Sequence, residues 1–175
     1  MQVQNQFSGS SPITGWPLTW WSTPPIAVAS TFFLGGSGAN QLLLFGLSIP
    51  ARVTFNNIII VVGVIDAVNL YSVGLYNRSG TLICSSAVGT VPTTGTVSFP
   101  QVGRPFTIPP GLYYLATTGN SGTATAVFGS GANGQWSFLV TDAPITTTGG
   151  VLAGSITPPA DSITAVNCPA FALST

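Results

Sequence analysis

The sequence predicts an all-β fold, and three observations support this prediction. No stretch of the 175 residues keeps the apolar period of a helix, and glycine or β-branched residues interrupt every candidate helix. Short β-favouring segments alternate instead with clusters of Gly, Pro, Asn and Ser. The length suits one domain with one core. We therefore expect two antiparallel sheets packed as a β-sandwich of jelly-roll type, preceded by an extended N-terminal arm.

The arm is expected at residues 1–25, and the single sandwich domain at residues 26–175. Proline fixes φ and removes a backbone donor, so the first segment suits neither a helix nor a central strand. Tryptophan rings on a free tail would lie in water, which indicates that the arm docks on its own sandwich or on a neighbouring subunit. The residues assigned to this assembly arm are Trp16, Trp20, Trp21, Pro24 and Pro25.

The sandwich is expected to consist of short strands in close succession. In Tyr71, Val73 and Leu75 the large apolar side chains alternate, and Asn77–Gly80 then supplies a turn, so this segment predicts a hairpin. The run Ile58–Ile65 does not alternate, which is typical of a central strand covered on both faces. The predicted strands lie near residues 26–34, 41–49, 51–65, 69–77, 80–87, 94–99, 105–117, 123–128, 135–141 and 162–172.

The charge complement excludes several function classes. The chain has no His, Lys or Glu, which are the usual proton carriers of enzymes near neutral pH, and nothing in the sequence pairs its aspartates. We therefore expect a non-enzymatic protein with no catalytic residues and no cofactor. Three arginines are too few for a track along a phosphate backbone, so no nucleic-acid partner is expected. The charged residues are Arg52, Arg78, Arg104, Asp66, Asp142 and Asp161.

Metal binding and membrane crossing are also disfavoured. Cys84 and Cys168 are the only soft metal ligands, and a closed zinc site needs about four. The longest apolar run, Ile58–Ile65, is far shorter than the about 20 residues that a spanning helix requires. The two cysteines permit one disulfide, with two buried, reduced thiols as the favoured alternative.

The tryptophans allow two interpretations. Trp20, Trp21 and Trp136 could stack against sugar rings, a type of site that needs no charge, or they could fill the core and subunit interfaces. We favour packing.

Two segments resemble β-sandwich modules in virion proteins of tailed bacteriophages. They are Val73–Leu82, with its order of glycine, aliphatic residue, tyrosine, turn and glycine, and Phe106–Ala116, with its prolines, glycine and two tyrosines. The resemblance covers residues 50–117 most clearly. It implies a head decoration, fibre or tail-tip protein, commonly a trimer, and it transfers no catalytic residue.

A net charge of zero removes repulsion between copies, so the surface suits permanent contact with neighbours. The expected function is that of a virion structural protein, of capsid decoration or fibre type, which is made in a host cytoplasm. It would assemble with itself as a homotrimer, and with other virion proteins, through apolar and hydrogen-bonded interfaces.

Two alternatives stay open. One is a carbohydrate-binding receptor module of a phage fibre or cell surface, with surface glycans as partners. The other is a bacterial surface or filament subunit whose arm donates a strand to the next copy.

Overall fold

The structure of the protein is a computed structural model, and it describes residues 18–21, 28–36, 39–129, 138–139, 145–158, 164–165, 168–169 and 171–175. These residues form strands, turns and bends without any helix. Neighbouring strands pair antiparallel throughout the described ladders. The predicted all-β, antiparallel class is confirmed.

The strands are numbered in chain order. They are β1 (Leu18–Trp21), β2 (Val28–Phe33), β3 (Gln41–Ile49), β4 (Val53–Phe55), β5 (Asn57–Val64), β6 (Asp66–Asn77), β7 (Leu82–Ser85), β8 (Gly89–Val91), β9 (Gly95–Pro100), β10 (Phe106–Ile108), β11 (Gly111–Gly119), β12 (Thr125–Gly129), β13 (Phe138–Leu139), β14 (Ile145–Thr146), β15 (Thr164–Ala165), β16 (Cys168–Pro169) and β17 (Phe171–Ser174).

Residues from β2 to β12 pair in reverse order, like the two arms of one long hairpin. β2 pairs with β12, β3 with β11, β4 with β10 and β5 with β9, while β6 pairs with the two short strands β7 and β8. Two further pairings, β5 with β12 and β6 with β11, roll this hairpin into two sheets. One sheet has the order β2-β12-β5-β9, and the other has β3-β11-β6 followed by β7 and β8.

Strands outside this hairpin extend both sheets. In the first sheet, β17 pairs with β5, β1 pairs with β17 and β16 pairs with β12. These three strands bring the sheet to seven strands. In the second sheet, β13 and β14 pair with β3 and β15 pairs with β13, which gives eight strands. We call these the seven-stranded and the eight-stranded sheet.

The main core lies between these two sheets. Its apolar cluster joins Ile58 and Ile60 of the seven-stranded sheet with Phe45, Leu75 and Leu115 of the eight-stranded sheet. Side chains that face each other from two sheets exclude water over a broad area, and this burial is the main source of stability.

The central position of β5 explains its continuous apolar run. Ile58, Ile59 and Ile60 are all 0% exposed, and β5 has partner strands along both edges. The prediction of a central strand covered on both faces is confirmed for residues 58–60, whereas Val64 and Ile65 at the end of the run are exposed.

A segment after β14 covers the outer face of the eight-stranded sheet. We call residues 147–156 the strap. Leu152 and Ile156 of the strap pack against Leu44, Tyr76 and Ala116, which point away from the main core. The Tyr76 hydroxyl donates a hydrogen bond to the Ala153 carbonyl (2.6 Å). The eight-stranded sheet is therefore buried on both faces where the strap crosses it.

Glycine at position 74 permits this close crossing. A Cβ atom there would meet the Leu152 side chain and the Cys84 carbonyl. The strap therefore lies against backbone at this point rather than against a side chain.

The predicted hairpin at residues 71–83 is confirmed as β6 and β7. Tyr71, Val73 and Leu75 are each 0% exposed and belong to the main core. The amide of Asn77 bonds the Thr81 carbonyl (2.9 Å), and Gly80 has a φ of 83°. A positive φ is where glycine is favoured over other residues, so the sequence signal for this turn has a direct conformational cause.

Several strand boundaries differ from the expected ones. The segment 51–65 contains two strands, because the chain bends at Asn56 and β4 leaves the sheet to pair with β10. β1, β8 and β14 were not expected as strands. They are short and each runs along another strand, so the partner determines their conformation more than their own composition.

Leu115 offers a test of the core. It lies at the centre of β11, directly opposite Phe45 and Leu75, and is fully buried. Leu115→Ala should lower the free energy of unfolding by about 2–5 kcal/mol, because it leaves a cavity between the sheets. Leu112→Ala on the same strand is the matched control. Leu112 is 52% exposed, so its loss should change stability by less than about 1 kcal/mol in urea unfolding. Equal effects of the two substitutions would contradict this core.

Candidate functional site

Three connections between strands come together at one end of the molecule, which we call the loop end. Gly119 at the end of β11 lies opposite Tyr71 near the start of β6, and Thr118 lies opposite Leu42 near the start of β3. In the seven-stranded sheet, the pairing of Thr125 with Phe33 and Val64 brings the end of β2, the end of β5 and the start of β12 together. The β2–β3, β5–β6 and β11–β12 connections therefore meet here.

Large apolar side chains are exposed at the loop end. Val68 is 84% exposed, and four other apolar side chains here are between 39% and 49% exposed. An exposed apolar group that faces water gains nothing for stability, so a cluster of them indicates a surface with another purpose. We call this cluster the apolar tip, and its members are Phe33, Val64, Ile65, Val68 and Leu70.

The segment that carries Val68 is looped out of the sheet. Asp66 pairs with Val91 and Tyr71 pairs with Gly89, so Ala67–Leu70 face the single residue Thr90 on β8. Extra residues on one side of a ladder bend the strand and leave their backbone outside the regular pairing. Val68 and Leu70 therefore project beyond the ladder.

Asp66 fixes the looped-out segment with four hydrogen bonds. Its carboxylate accepts bonds from the amides of Val68 and Asn69 (both 3.0 Å), from the Asn69 side-chain amide (2.8 Å) and from the Tyr71 hydroxyl (2.8 Å). An aspartate that bonds the amides two and three residues ahead orders a tight turn. The conformation that exposes Val68 is thus imposed by the neighbouring carboxylate.

The Tyr71 hydroxyl connects this turn to the neighbouring connection. Besides donating to Asp66, it accepts a bond from the amide of Ala124 (3.1 Å). The ring of Tyr71 fits here because position 119 is glycine, where a Cβ atom would meet the ring. Asn120 adds a second link, because its side-chain oxygen accepts from the Leu70 amide (2.8 Å) and its amide donates to the Leu70 carbonyl (3.0 Å).

Asn40 ties the strap to the same end. It has a φ of 63°, and its amide donates to the Gly119 carbonyl (2.7 Å). Its backbone carbonyl accepts from the Thr147 amide (2.8 Å), and its side-chain oxygen accepts from the Gly149 amide (3.1 Å). The β2–β3 connection, the β11–β12 connection and the strap are therefore joined by uncharged groups.

The electrostatics of the loop end centre on one buried carboxylate. Burial acts to raise the pKa of Asp66, but the hydrogen bonds from Asn69, Tyr71 and Val68 outweigh it and hold this pKa well below its usual range. Burial raises the pKa of Tyr71, whose hydroxyl also donates to the ionised Asp66. Asp66 is thus a stable anion whose acceptor positions are used by the protein, and we assign it a positioning role.

Two of the residues predicted for the arm and for sugar stacking lie within the described ranges. Trp20 and Trp21 lie on β1, where they pair with Leu173 and Ala172 of β17 at the edge of the seven-stranded sheet. Trp16, Pro24, Pro25 and Trp136 lie outside the described residues, as do Asp142 and Asp161.

The two cysteines considered for a disulfide lie on strands of different sheets. Cys84 is a buried, free cysteine on β7 of the eight-stranded sheet, and Cys168 lies on β16 of the seven-stranded sheet. Burial raises the pKa of the Cys84 thiol to about 12. This cysteine packs in the main core as a neutral apolar group rather than as half of a bridge.

Within the described ranges, no group of three or more Cys, Asp or Glu side chains is placed to hold a metal ion. In the same ranges, no helix is both long and apolar enough to cross a bilayer.

The sequence interpretation missed the apolar tip and its support. Asp66-Ala67-Val68-Asn69 carries the pattern of an aspartate turn, which is the signal that could have marked the segment as a loop. Composition alone does not distinguish the exposed Val68 from the buried Val73. No protein-family model, curated protein or solved structure matches the chain, so the interpretation of this end depends on its geometry.

Removing the Tyr71 hydroxyl tests the support of the tip. Tyr71→Phe should lower the free energy of unfolding by about 1–3 kcal/mol, because the buried amide of Ala124 loses its acceptor and Asp66 loses a donor. Tyr113→Phe is the matched control, since its hydroxyl makes one bond, to the Pro109 carbonyl (2.8 Å). We expect a loss of about 1 kcal/mol or less for the control. A Tyr71→Phe protein as stable as the control variant would contradict the network.

Acid should weaken the loop end through Asp66. Because the pKa of Asp66 is lower in the folded state than in the unfolded state, its contribution is present near neutral pH. This contribution is lost progressively as the pH falls below about 5. Asp66→Asn should be less stable than the wild type at neutral pH, and the difference should shrink in acid. Urea unfolding from pH 7 downward measures this difference, and a difference that is constant with pH would refute the assignment. Any other carboxyl group titrates in both proteins and cancels in the comparison.

Proposed function

We propose that this chain is a non-enzymatic structural protein of a virus particle, of capsid decoration or fibre type, built on a jelly roll with an N-terminal arm. The observation that carries the proposal is the reverse-order pairing from β2 to β12, rolled into two sheets. A long antiparallel hairpin rolled in this way has the strand order of a jelly roll, an architecture common in viral capsid and lectin domains.

The segments with the phage-module pattern support the same proposal. Val73–Leu82 forms the hairpin of β6 and β7, and Phe106–Ala116 forms β10 and most of β11. Both segments therefore lie in the rolled hairpin, and this placement supports the proposal.

The arm is proposed to act through the sheet edge at β1. β1 pairs only with β17 along the described ladder, so its other edge can accept a strand from a neighbouring copy. This contact would use backbone hydrogen bonds and apolar side chains rather than ions. Such contacts avoid the desolvation cost of burying charged groups.

The solution molar mass tests the proposal. We expect light scattering after size exclusion to give a closed oligomer, most simply a trimer, whose mass is unchanged between low and high salt because screening acts on charges. A chain without residues 1–25 is the comparison, and it should keep the β-sheet circular dichroism spectrum but form smaller assemblies.

The other possible results of this measurement would support the alternative functions. A monomer at every concentration would overturn the assembly proposal and favour a carbohydrate-binding receptor module. Open-ended polymers would favour a filament subunit that donates its arm to the next copy.

A further inference from the structure

We propose that the apolar tip inserts into the interfacial layer of a lipid bilayer. This inference goes beyond a structural role in a particle and does not rest on it. It depends on the chemistry of the tip, on its protrusion, on the hydrogen bonds of its backbone and on the position of the charges.

The composition of the tip suits lipid better than protein. Four of its members, Val64, Ile65, Val68 and Leu70, are aliphatic, and Phe33 is its one aromatic residue. Protein interfaces concentrate Tyr, Trp, Met and Arg in their buried centres. Aliphatic side chains lack the polar handles that give such interfaces their specificity, but they gain free energy in any apolar medium.

The protrusion of the tip also favours lipid over a protein partner. Val68 stands on the looped-out segment Ala67–Leu70 and is 84% exposed. A protein partner would need a groove that matches this convex shape, whereas lipid chains rearrange around it. Since Asp66 fixes the segment in advance, insertion requires no ordering of the loop.

Several backbone groups of the tip are hydrogen-bonded within the protein. The amides of Val68 and Asn69 donate to Asp66, the Leu70 amide donates to Asn120, and the Leu70 carbonyl accepts from the Asn120 amide. In hydrocarbon every unpaired backbone group is costly, so a lipid-facing loop must satisfy these groups internally. Three of the four amides of Ala67–Leu70 and the Leu70 carbonyl are satisfied in this way, although the segment lies outside the regular ladder.

The charges of the described chain also fit an uncharged partner. Asp66 is the one charged group at the loop end among the described residues, and it is 6% exposed and surrounded by four donors. The three arginines lie at the other end. Arg52 is in the β3–β4 connection, Arg78 is in the β6–β7 turn, and Arg104 donates to Asn57 at the start of β5 (3.2 Å). The described residues of the tip include no cation that could attract anionic headgroups. The tip should therefore bind zwitterionic lipid as well as acidic lipid.

The experiment is flotation of the full chain with phosphatidylcholine vesicles. We expect the wild type to float with the vesicles, and we expect Val68→Ser to lower the partition coefficient by about threefold to tenfold, because one inserted apolar side chain is lost. Ile65→Ser is a second variant on the same tip. Leu112→Ser is the matched control, because Leu112 is 52% exposed at the opposite end of β11. The control should float like the wild type.

The lipid charge and the salt concentration are varied as two further conditions. Adding phosphatidylglycerol to the vesicles, or raising the salt concentration, should leave binding unchanged. Thermal melting of each variant before flotation checks that the exposed substitutions leave the fold intact.

Four results would overturn the proposal. They are a wild type that does not float, an equal loss in the Leu112→Ser control, binding that requires phosphatidylglycerol, and a tip variant that changes the molar mass in solution instead of vesicle binding. The last result would assign the tip to contacts between copies.

Discussion

Reverse-order strand pairing is the constraint on which the remaining structure depends. After β6 turns back into β7 at Asn77–Gly80, the strands β9 to β12 pair in turn with β5, β4, β3 and β2. This pairing satisfies the backbone groups of the buried strands, and it also brings the β2–β3, β5–β6 and β11–β12 connections to one end. The register is fixed by strands whose two faces differ. On β11, Leu115 faces the main core and Ala116 faces the strap, so a slip by one residue would exchange the two environments.

Neutral hydrogen bonds perform here the work that ion pairs perform in many proteins. The strap is held by the hydroxyls of Ser72 and Tyr76, which donate to the carbonyls of Gly150 and Ala153, and by a contact between the hydroxyls of Thr118 and Thr147. Even Asp66 takes its four bonds from amides and a hydroxyl. Bonds between neutral groups avoid the large desolvation cost of ions and are not screened by salt. A sequence with so few charged residues can therefore still specify how its connections pack.

The sequence predicted the parts of the fold whose cause is local. The Asn77–Gly80 turn needs a positive φ at glycine, and Tyr71, Val73 and Leu75 alternate because they lie on the face of β6 that packs in the main core. Both signals were present in the residues. The strap was not predicted. Leu152 and Ile156 lie in a short segment rich in Gly and Thr, and they become core residues only because the sheet presents Leu44 and Tyr76 on its outer face. The run Leu42–Phe45 contained a sign of this second buried face, since it does not alternate. The apolar tip depends on a mismatch between two paired strands, which one segment alone does not reveal.

The position of Tyr71 links the interior to the surface. Its ring lies in the main core against the backbone of Gly119, while its hydroxyl bonds both Asp66 and the Ala124 amide. The same side chain therefore stabilises the contact between the sheets and sets the conformation of the segment that exposes Val68. A surface loop is ordinarily among the least stable parts of a protein. Here the exposed apolar segment is anchored to a fully buried residue, so opening it would break buried hydrogen bonds and disturb the core packing. Such rigidity offers no advantage to a loop that meets only water, and it is what a preformed binding surface requires.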